Sequence, residues 1–222
     1  MLIIPALLEK TAQSLEKKLR LVRNSFQHLH IDIADGFFVQ NKTIQIKDIY
    51  HTKRALEDFN LDLHLMVENP EDYIRQAEEI AQKGGIKIYR VFVHYKTLPD
   101  LATLLKTSKL KIGLAIDPDD EIDTVFQIYP PERLDSILLM SVNPGFQGSA
   151  FIPFTIQNIA LIRSKRFYGE ILLDGGINDK TIQYIKEYKD EISALCVGSF
   201  LMKSNSAEKT KEKANLLLRS LD

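Results

Sequence analysis

His28-Leu29-His30-Ile31-Asp32-Ile33-Ala34-Asp35-Gly36-Phe37-Phe38-Val39-Gln40-Asn41 decides how this chain is read. From Leu29 to Ile33 apolar and polar residues alternate, which is the period of a β-strand. Successive strand side chains point to opposite faces, so His30 and Asp32 share one face and Leu29, Ile31 and Ile33 the other. Asp35-Gly36 breaks the strand and opens a loop. A nitrogen ligand and an oxygen ligand therefore stand side by side at the C-terminal lip of a strand whose other face calls for burial. Alone, this is an ordinary half-exposed strand with polar residues in water. Similar patterns recur downstream, and the recurrence changes the reading.

Working outward, apolar runs predict strands at 2–7, 61–67, 88–94, 110–116, 134–140, 170–173 and 194–197. Between them, helical spacing predicts helices at 9–23, 44–59, 70–82, 98–107, 121–129, 151–165, 178–188 and 206–221. Pro70 suits a first helical position, Gly84-Gly85 a stop, and Asn178 a cap. Strict alternation of strand and helix argues a parallel sheet. Eight such units in 222 residues argue an α/β fold, a (β/α)8 TIM barrel, with residues 1–222 as a single domain. An open doubly wound sheet is the rival. It would carry a glycine-rich turn after the first strand, and Leu7-Leu8-Glu9-Lys10 has none.

Composition narrows the partners. Net charge is −1, so no basic field attracts nucleic acid or an anionic membrane. No run approaches the ~18 apolar residues of a membrane span. Met1 to Leu8 lacks the basic start of a signal peptide. The single cysteine, Cys196, excludes an internal disulfide and fits a reducing compartment, so a cytoplasmic location is expected.

In such a barrel the active site lies at the C-terminal strand ends. The polar residues there are His30 and Asp32 on the second strand, His64 on the third, His94 on the fourth and Asp174 on the seventh. Two imidazoles and two carboxylates at one mouth form a mixed N/O site for zinc, iron, manganese or cobalt; calcium is disfavoured by two histidines. Glycine turns accompany them at Gly145-Phe146-Gln147-Gly148, Gly175-Gly176 and Gly198-Ser199. The last two follow strands seven and eight, the frequent phosphate site of these barrels, and 199–203 would supply its short helix.

These segments resemble the ribulose-phosphate 3-epimerase family over nearly the whole chain. His30 to Asn41 is similar to its His-x-Asp-x-x-Asp-Gly signature. His64-Leu65-Met66-Val67 with Pro70, Met140-Ser141-Val142 with Pro144-Gly145-Phe146, and Asp174-Gly175-Gly176-Ile177 are similar to three further family segments. The resemblance implies a sugar-phosphate isomerase with one divalent metal ion, working as a homo-oligomer. It implies His30, Asp32, His64 and Asp174 as metal ligands, and Asp32 and Asp174 as the acid/base pair. It implies Met66 and Met140 as caps on the reacting carbon, and Gly145, Phe146, Gln147, Gly148, Gly175, Gly176, Gly198 and Ser199 as substrate-binding residues. The chemistry agrees: epimerisation beside a ketone passes through an enediolate, whose charge a divalent cation can bear.

The chain departs from the family at Ala6, Glu9, Ala34, Gln147 and Leu172, and His94-Tyr95-Lys96 stands where a His-x-Glu is usual. The resemblance thus implies 3-epimerisation of ribulose 5-phosphate to xylulose 5-phosphate. The alternatives are another ketose phosphate such as allulose 6-phosphate, for which Ala34 would enlarge the pocket, or a sugar-phosphate-binding barrel without turnover.

Overall fold

The computed structural model describes residues 1–97, 99–145 and 148–221. The strands are β1 (Leu2–Leu7), β2 (His28–Ala34), β3 (Asn60–Met66), β4 (Lys87–His94), β5 (Lys111–Ile116), β6 (Ser136–Met140), β7 (Glu170–Asp174) and β8 (Ala194–Val197). All pair in parallel, in chain order, and β8 returns to pair with β1, so the sheet closes into a barrel. The helices are α1 (Ala12–Val22), α2 (Ile46–His51), α3 (Lys53–Leu56), α4 (Pro70–Gly84), α5 (Leu101–Thr107), α6 (Ile122–Ile128), α7 (Gln157–Ser164), α8 (Ile182–Ile185), α9 (Ser199–Met202) and α10 (Ala207–Leu221). The expected (β/α)8 architecture is present.

Alternation builds two separate cores. The outward strand residues, such as Leu29, Ile31, Ile33, Leu61, Leu63 and Leu65, pack against buried helix residues including Leu15, Leu19, Ile74 and Leu217. The inward residues Ile4, Ala6, Phe92, Ala115, Leu138, Met140, Leu172, Ala194 and Cys196 fill the barrel itself. The inner space is narrow, and size alternates around it. A Cβ on Gly113 would lie 2.5 Å from both the Phe92 ring and Ser136 Oγ, so the large ring needs a neighbour without a side chain.

Several helices differ from their predicted spans for local reasons. The 44–59 segment splits at Thr52. This buried residue leaves helical geometry (φ −94°, ψ 11°), and its hydroxyl donates back to the Asp48 and Ile49 carbonyls. Pro153 starts a 3₁₀ turn, so α7 begins only at Gln157. Asn178 does not cap α8. Its Oδ1 accepts from the Lys180 and Thr181 N–H groups and closes a turn, and α8 follows Thr181. The 3₁₀ turn Pro131–Arg133 takes up the run before β6, so that strand starts at Ser136 rather than 134. Pro70 does open α4, and Gly85 ends it in the left-handed region at φ 67°.

Candidate active site

The barrel brings β2, β3 and β7 to one mouth. Register sets Asp32 of β2 beside His64 of β3, and Met140 of β6 beside Asp174 of β7. The tip of β2 is fixed by Thr43, whose hydroxyl donates to the Asp32 carbonyl and accepts from the Ala34 N–H. Ser141 does the same for β7: its N–H and hydroxyl both donate to the Asp174 carbonyl, and the hydroxyl also reaches the Gly175 carbonyl.

His30, Asp32, His64 and Asp174 each aim one ligand atom at a common point, all within 4.8 Å of one another. His64 Nδ1 lies 2.9 Å from Asp32 Oδ1 and 3.8 Å from Asp174 Oδ2. His30 Nε2 lies 3.4 Å from Asp32 Oδ1 and 3.8 Å from Asp174 Oδ2. All four residues are buried, and His30 Nε2 has no hydrogen-bond partner among the described residues. The remaining ring nitrogens are held from behind: His30 Nδ1 sits 3.5 Å from Cys196 Sγ, and His64 Nε2 sits 2.8 Å from His94 Nε2. Burial pushes the Cys196 thiol up to about 11, so it stays neutral.

The two carboxylates differ in proton affinity. Burial works to raise Asp32, but the adjoining His30 and His64 imidazoles outweigh that and hold it well below the usual carboxylate range. Burial pushes Asp174 up to about 6, the negative charge of Asp32 adding to the effect against the two imidazoles. Two acids this close ionise together readily only when a cation stands between them. Two imidazole nitrogens and two carboxylate oxygens converging in a dry pocket, with the other ring nitrogens already occupied, fit a divalent transition metal.

Met66, Met140, Gly145, Gly148, Gly175 and Gly176 line a cavity of about 50 Å³ beside this cluster, as do Asp32, His64 and Asp174. Gly175 has φ +110°, and a Cβ there would strike Val142 at 2.4 Å, so this turn needs glycine. Gly198 and Ser199 sit next door, at the end of β8 and the start of α9, outside the cavity wall. Phe146 and Gln147 lie outside the described residues. At its edge Asn41 Nδ2, from the loop after β2, donates to the Gly145 carbonyl at 2.6 Å. Larger hollows lie elsewhere. One of about 600 Å³ opens at the opposite end of the barrel, away from these four residues.

Sequence reasoning did not find Leu8 and Val142 as cavity walls, or Thr43 and Ser141 as supports. It placed His94 at the mouth without its partner, and Asp117 only as a strand breaker. Of the departures, Ala6 and Leu172 fill the inner core, and Ala34 is fully buried and absent from the cavity wall. Among the described residues no helix is long and apolar enough to cross a membrane.

A family model described as the ribulose-phosphate 3 epimerase family matches residues 2–202. A ribulose-phosphate 3-epimerase from Chlamydia pneumoniae is 34% identical over 212 residues, covering 91% of this chain and 86% of the relative. The enzyme of that name from Mycobacterium bovis is 32% identical over 193 residues, covering 84% and 80%. A cytoplasmic isoform from Oryza sativa subsp. japonica is 31% identical over 164 residues, covering 73% and 71%. Among solved structures, 3-hexulose-6-phosphate synthase from Salmonella typhimurium superposes with a TM-score of 0.69 over 99% of each chain at 14% identity. Tryptophan synthase from M. tuberculosis does so with a TM-score of 0.65 at 9% identity, over 100% of this chain and 93% of that one. At those identities the likeness is one of fold alone.

Proposed function

The chain belongs to the ribulose-phosphate 3-epimerase family, and from that premise we propose that it interconverts ribulose 5-phosphate and xylulose 5-phosphate by inverting C3 beside the ketone. The observation that carries this reading is the convergence of His30, Asp32, His64 and Asp174 within 4.8 Å at the C-terminal mouth. In this reading those four residues hold one zinc, iron, manganese or cobalt ion. The ion, when bound, supplies Lewis-acid stabilisation for negative charge developing on the substrate oxygens.

The remaining work belongs to side chains of this chain. Inversion requires that a proton leave C3 on one face and that another arrive on the opposite face. Asp32 and Asp174 act as acceptor and donor, exchanging roles with the direction of reaction. They stand on β2 and β7, three steps apart around the closed sheet, so a planar intermediate can lie between them. Met66 and Met140 wall the reacting carbon with soft apolar atoms that offer no competing proton. The phosphate rests on the backbone N–H groups of the Gly175-Gly176 and Gly198-Ser199 turns. A cytoplasmic location accompanies this reading, in keeping with a lone buried cysteine.

The test is a coupled epimerase assay on metal-reconstituted protein with several ketose phosphates, allulose 6-phosphate among them, together with solvent-deuterium incorporation at C3. Turnover of ribulose 5-phosphate with label at C3 is expected. No exchange into any of the ketose phosphates in the presence of metal would refute the reading. Faster exchange into allulose 6-phosphate would reassign the substrate.

A further inference from the structure

Behind the metal cluster a buried row of contacts runs outward to the rim. His64 Nε2 faces His94 Nε2 at 2.8 Å, and the two rings stack with centroids 4.9 Å apart. His94 Nδ1 lies 3.1 Å from Asp117 Oδ1, short but off the line of a hydrogen bond, and neither atom has a hydrogen-bond partner among the described residues. The second oxygen, Asp117 Oδ2, lies 3.2 Å from Lys96 Nζ. His94 is fully buried and Asp117 is 2% exposed, while the Lys96 side chain is 38% exposed and also meets Asp119 and Asp120. The Phe38 ring also lies against His94, tilted, with centroids 4.7 Å apart.

We propose that Asp117 is a positioning residue for metal binding: through His94 it fixes which nitrogen of His64 is free to act as ligand. The inference rests on the metal reading above. It follows from donors and acceptors alone. His64 presents Nδ1 to the cluster, so when that nitrogen is a ligand its ring proton sits on Nε2 and points at His94 Nε2. His94 can receive it only with its own proton on Nδ1, and that proton needs an acceptor in a dry place. Asp117 Oδ1, 3.1 Å away, is the carboxylate oxygen placed to take it once the ring turns onto the line. Take the acceptor away and the His94 proton can move to Nε2, where it faces the proton of His64. His64 then relieves the clash by moving its proton to Nδ1, which removes the ligand.

Lys96 makes the test sharp. Each carboxylate oxygen of Asp117 serves one donor, His94 on one side and Lys96 on the other. An amide has a single carbonyl. In Asp117→Asn the charged Lys96 takes that carbonyl, and the NH2 group turns to His94 Nδ1, favouring the wrong tautomer. In the Lys96→Met/Asp117→Asn double variant the carbonyl is released to His94.

The experiment measures Co(II) affinity of the metal-free protein by competition with a chromophoric chelator. Wild type, Lys96→Met, Asp117→Asn and the double variant are compared, and the metal-free melting curve of each is recorded. Asp117→Asn should bind Co(II) roughly 10–100-fold more weakly, Lys96→Met within about threefold of wild type, and the double variant should recover much of the loss. A merely structural Asp117 would give no recovery. Unchanged affinity in Asp117→Asn, or a double variant no better than the single one, overturns the proposal. A wild-type measurement covers the case in which Asp117→Asn does not fold. Side-chain ¹H–¹⁵N spectra of the Zn(II)-loaded protein should show His94 protonated on Nδ1, and a proton on Nε2 overturns the proposal. Wild type that binds no Co(II) refutes the metal reading itself, and this inference falls with it; wild type that binds while Asp117→Asn is unaffected refutes the inference alone.

Discussion

At the N-terminal end of the barrel, Asp62 accepts from Arg90 Nε at 3.0 Å and lies 2.9 Å from His28 Nε2, while Arg90 Nη1 donates to Glu170 at 2.6 Å. At the C-terminal end, Asp32 and Asp174 meet two imidazoles and no permanent cation among the described residues. Both ends set histidine and carboxylate on the same inward faces of β2 and β3. Asp62 and His64 are two residues apart on β3. The difference lies in the counter-charge. Arg90 is always protonated and is built into the fold, so Asp62 carries its counter-charge within the barrel. The upper cluster has no such built-in guanidinium among the described residues, and it points its ligand atoms at a shared centre. Buried charge alone therefore says little about function. A buried cluster whose missing partner would be a cation says much more.

The largest expected effect breaks the comparison at the upper end. Asp32→Asn and Asp174→Asn should each lower the epimerase rate by roughly 10²–10⁴-fold at saturating metal, read in the coupled assay. Near-normal turnover in either removes that residue from the acid/base role. Asp174→Asn should also raise the melting temperature of the metal-free protein, because it removes a buried charge next to Asp32.

The next effect belongs to the lower end. Arg90→Ala leaves Asp62 buried without its cation, and should destabilise the fold by roughly 3–5 kcal/mol in urea unfolding. Co(II) affinity of the folded fraction should stay within a few-fold of wild type. A parallel loss of affinity would mean that the two ends are not independent.

The smallest effect is a difference in pH response. His28 and Arg90 overcome the burial of Asp62 and hold its carboxyl below the usual value. Its contribution to stability is present at neutral pH and is lost as pH falls through that lowered value. Asp174 runs the other way, being raised to about 6. The metal-free protein therefore loses stability as pH climbs from the ordinary carboxylate value to about 6. Thermal melts across pH 2–8, with and without metal, read both limbs. Asp62→Asn should flatten the acid limb only, and bound metal should abolish the loss near pH 6.

Much of this was legible in the chain. Strand alternation is a period-two signal, and His30-x-Asp32 and Asp62-x-His64 carried it plainly, while β7 read as a short apolar run ending at Asp174. The helices were less legible. Their ends depend on single residues such as Thr52 and Asn178, whose side chains compete for backbone groups. The row behind His64 was not legible at all. His94, Lys96 and Asp117 come from β4, the turn after it and the end of β5. No local pattern distinguishes Asp117 before a proline from any other turn acid.

The order of residues thus determined the eight-fold succession of strand and helix, the inward sets of β2 and β3 and the four candidate ligand types, because periodicity is a local property of the chain. Closure of the sheet decided the rest. Only when β8 meets β1 do β2, β3 and β7 share one mouth and bring four atoms within 4.8 Å. The same closure separates the upper histidines and acids from a lower cluster of the same residue types that carries its own arginine. That division is a matter of which charges end up in contact, and contact between distant segments exists only in the folded barrel.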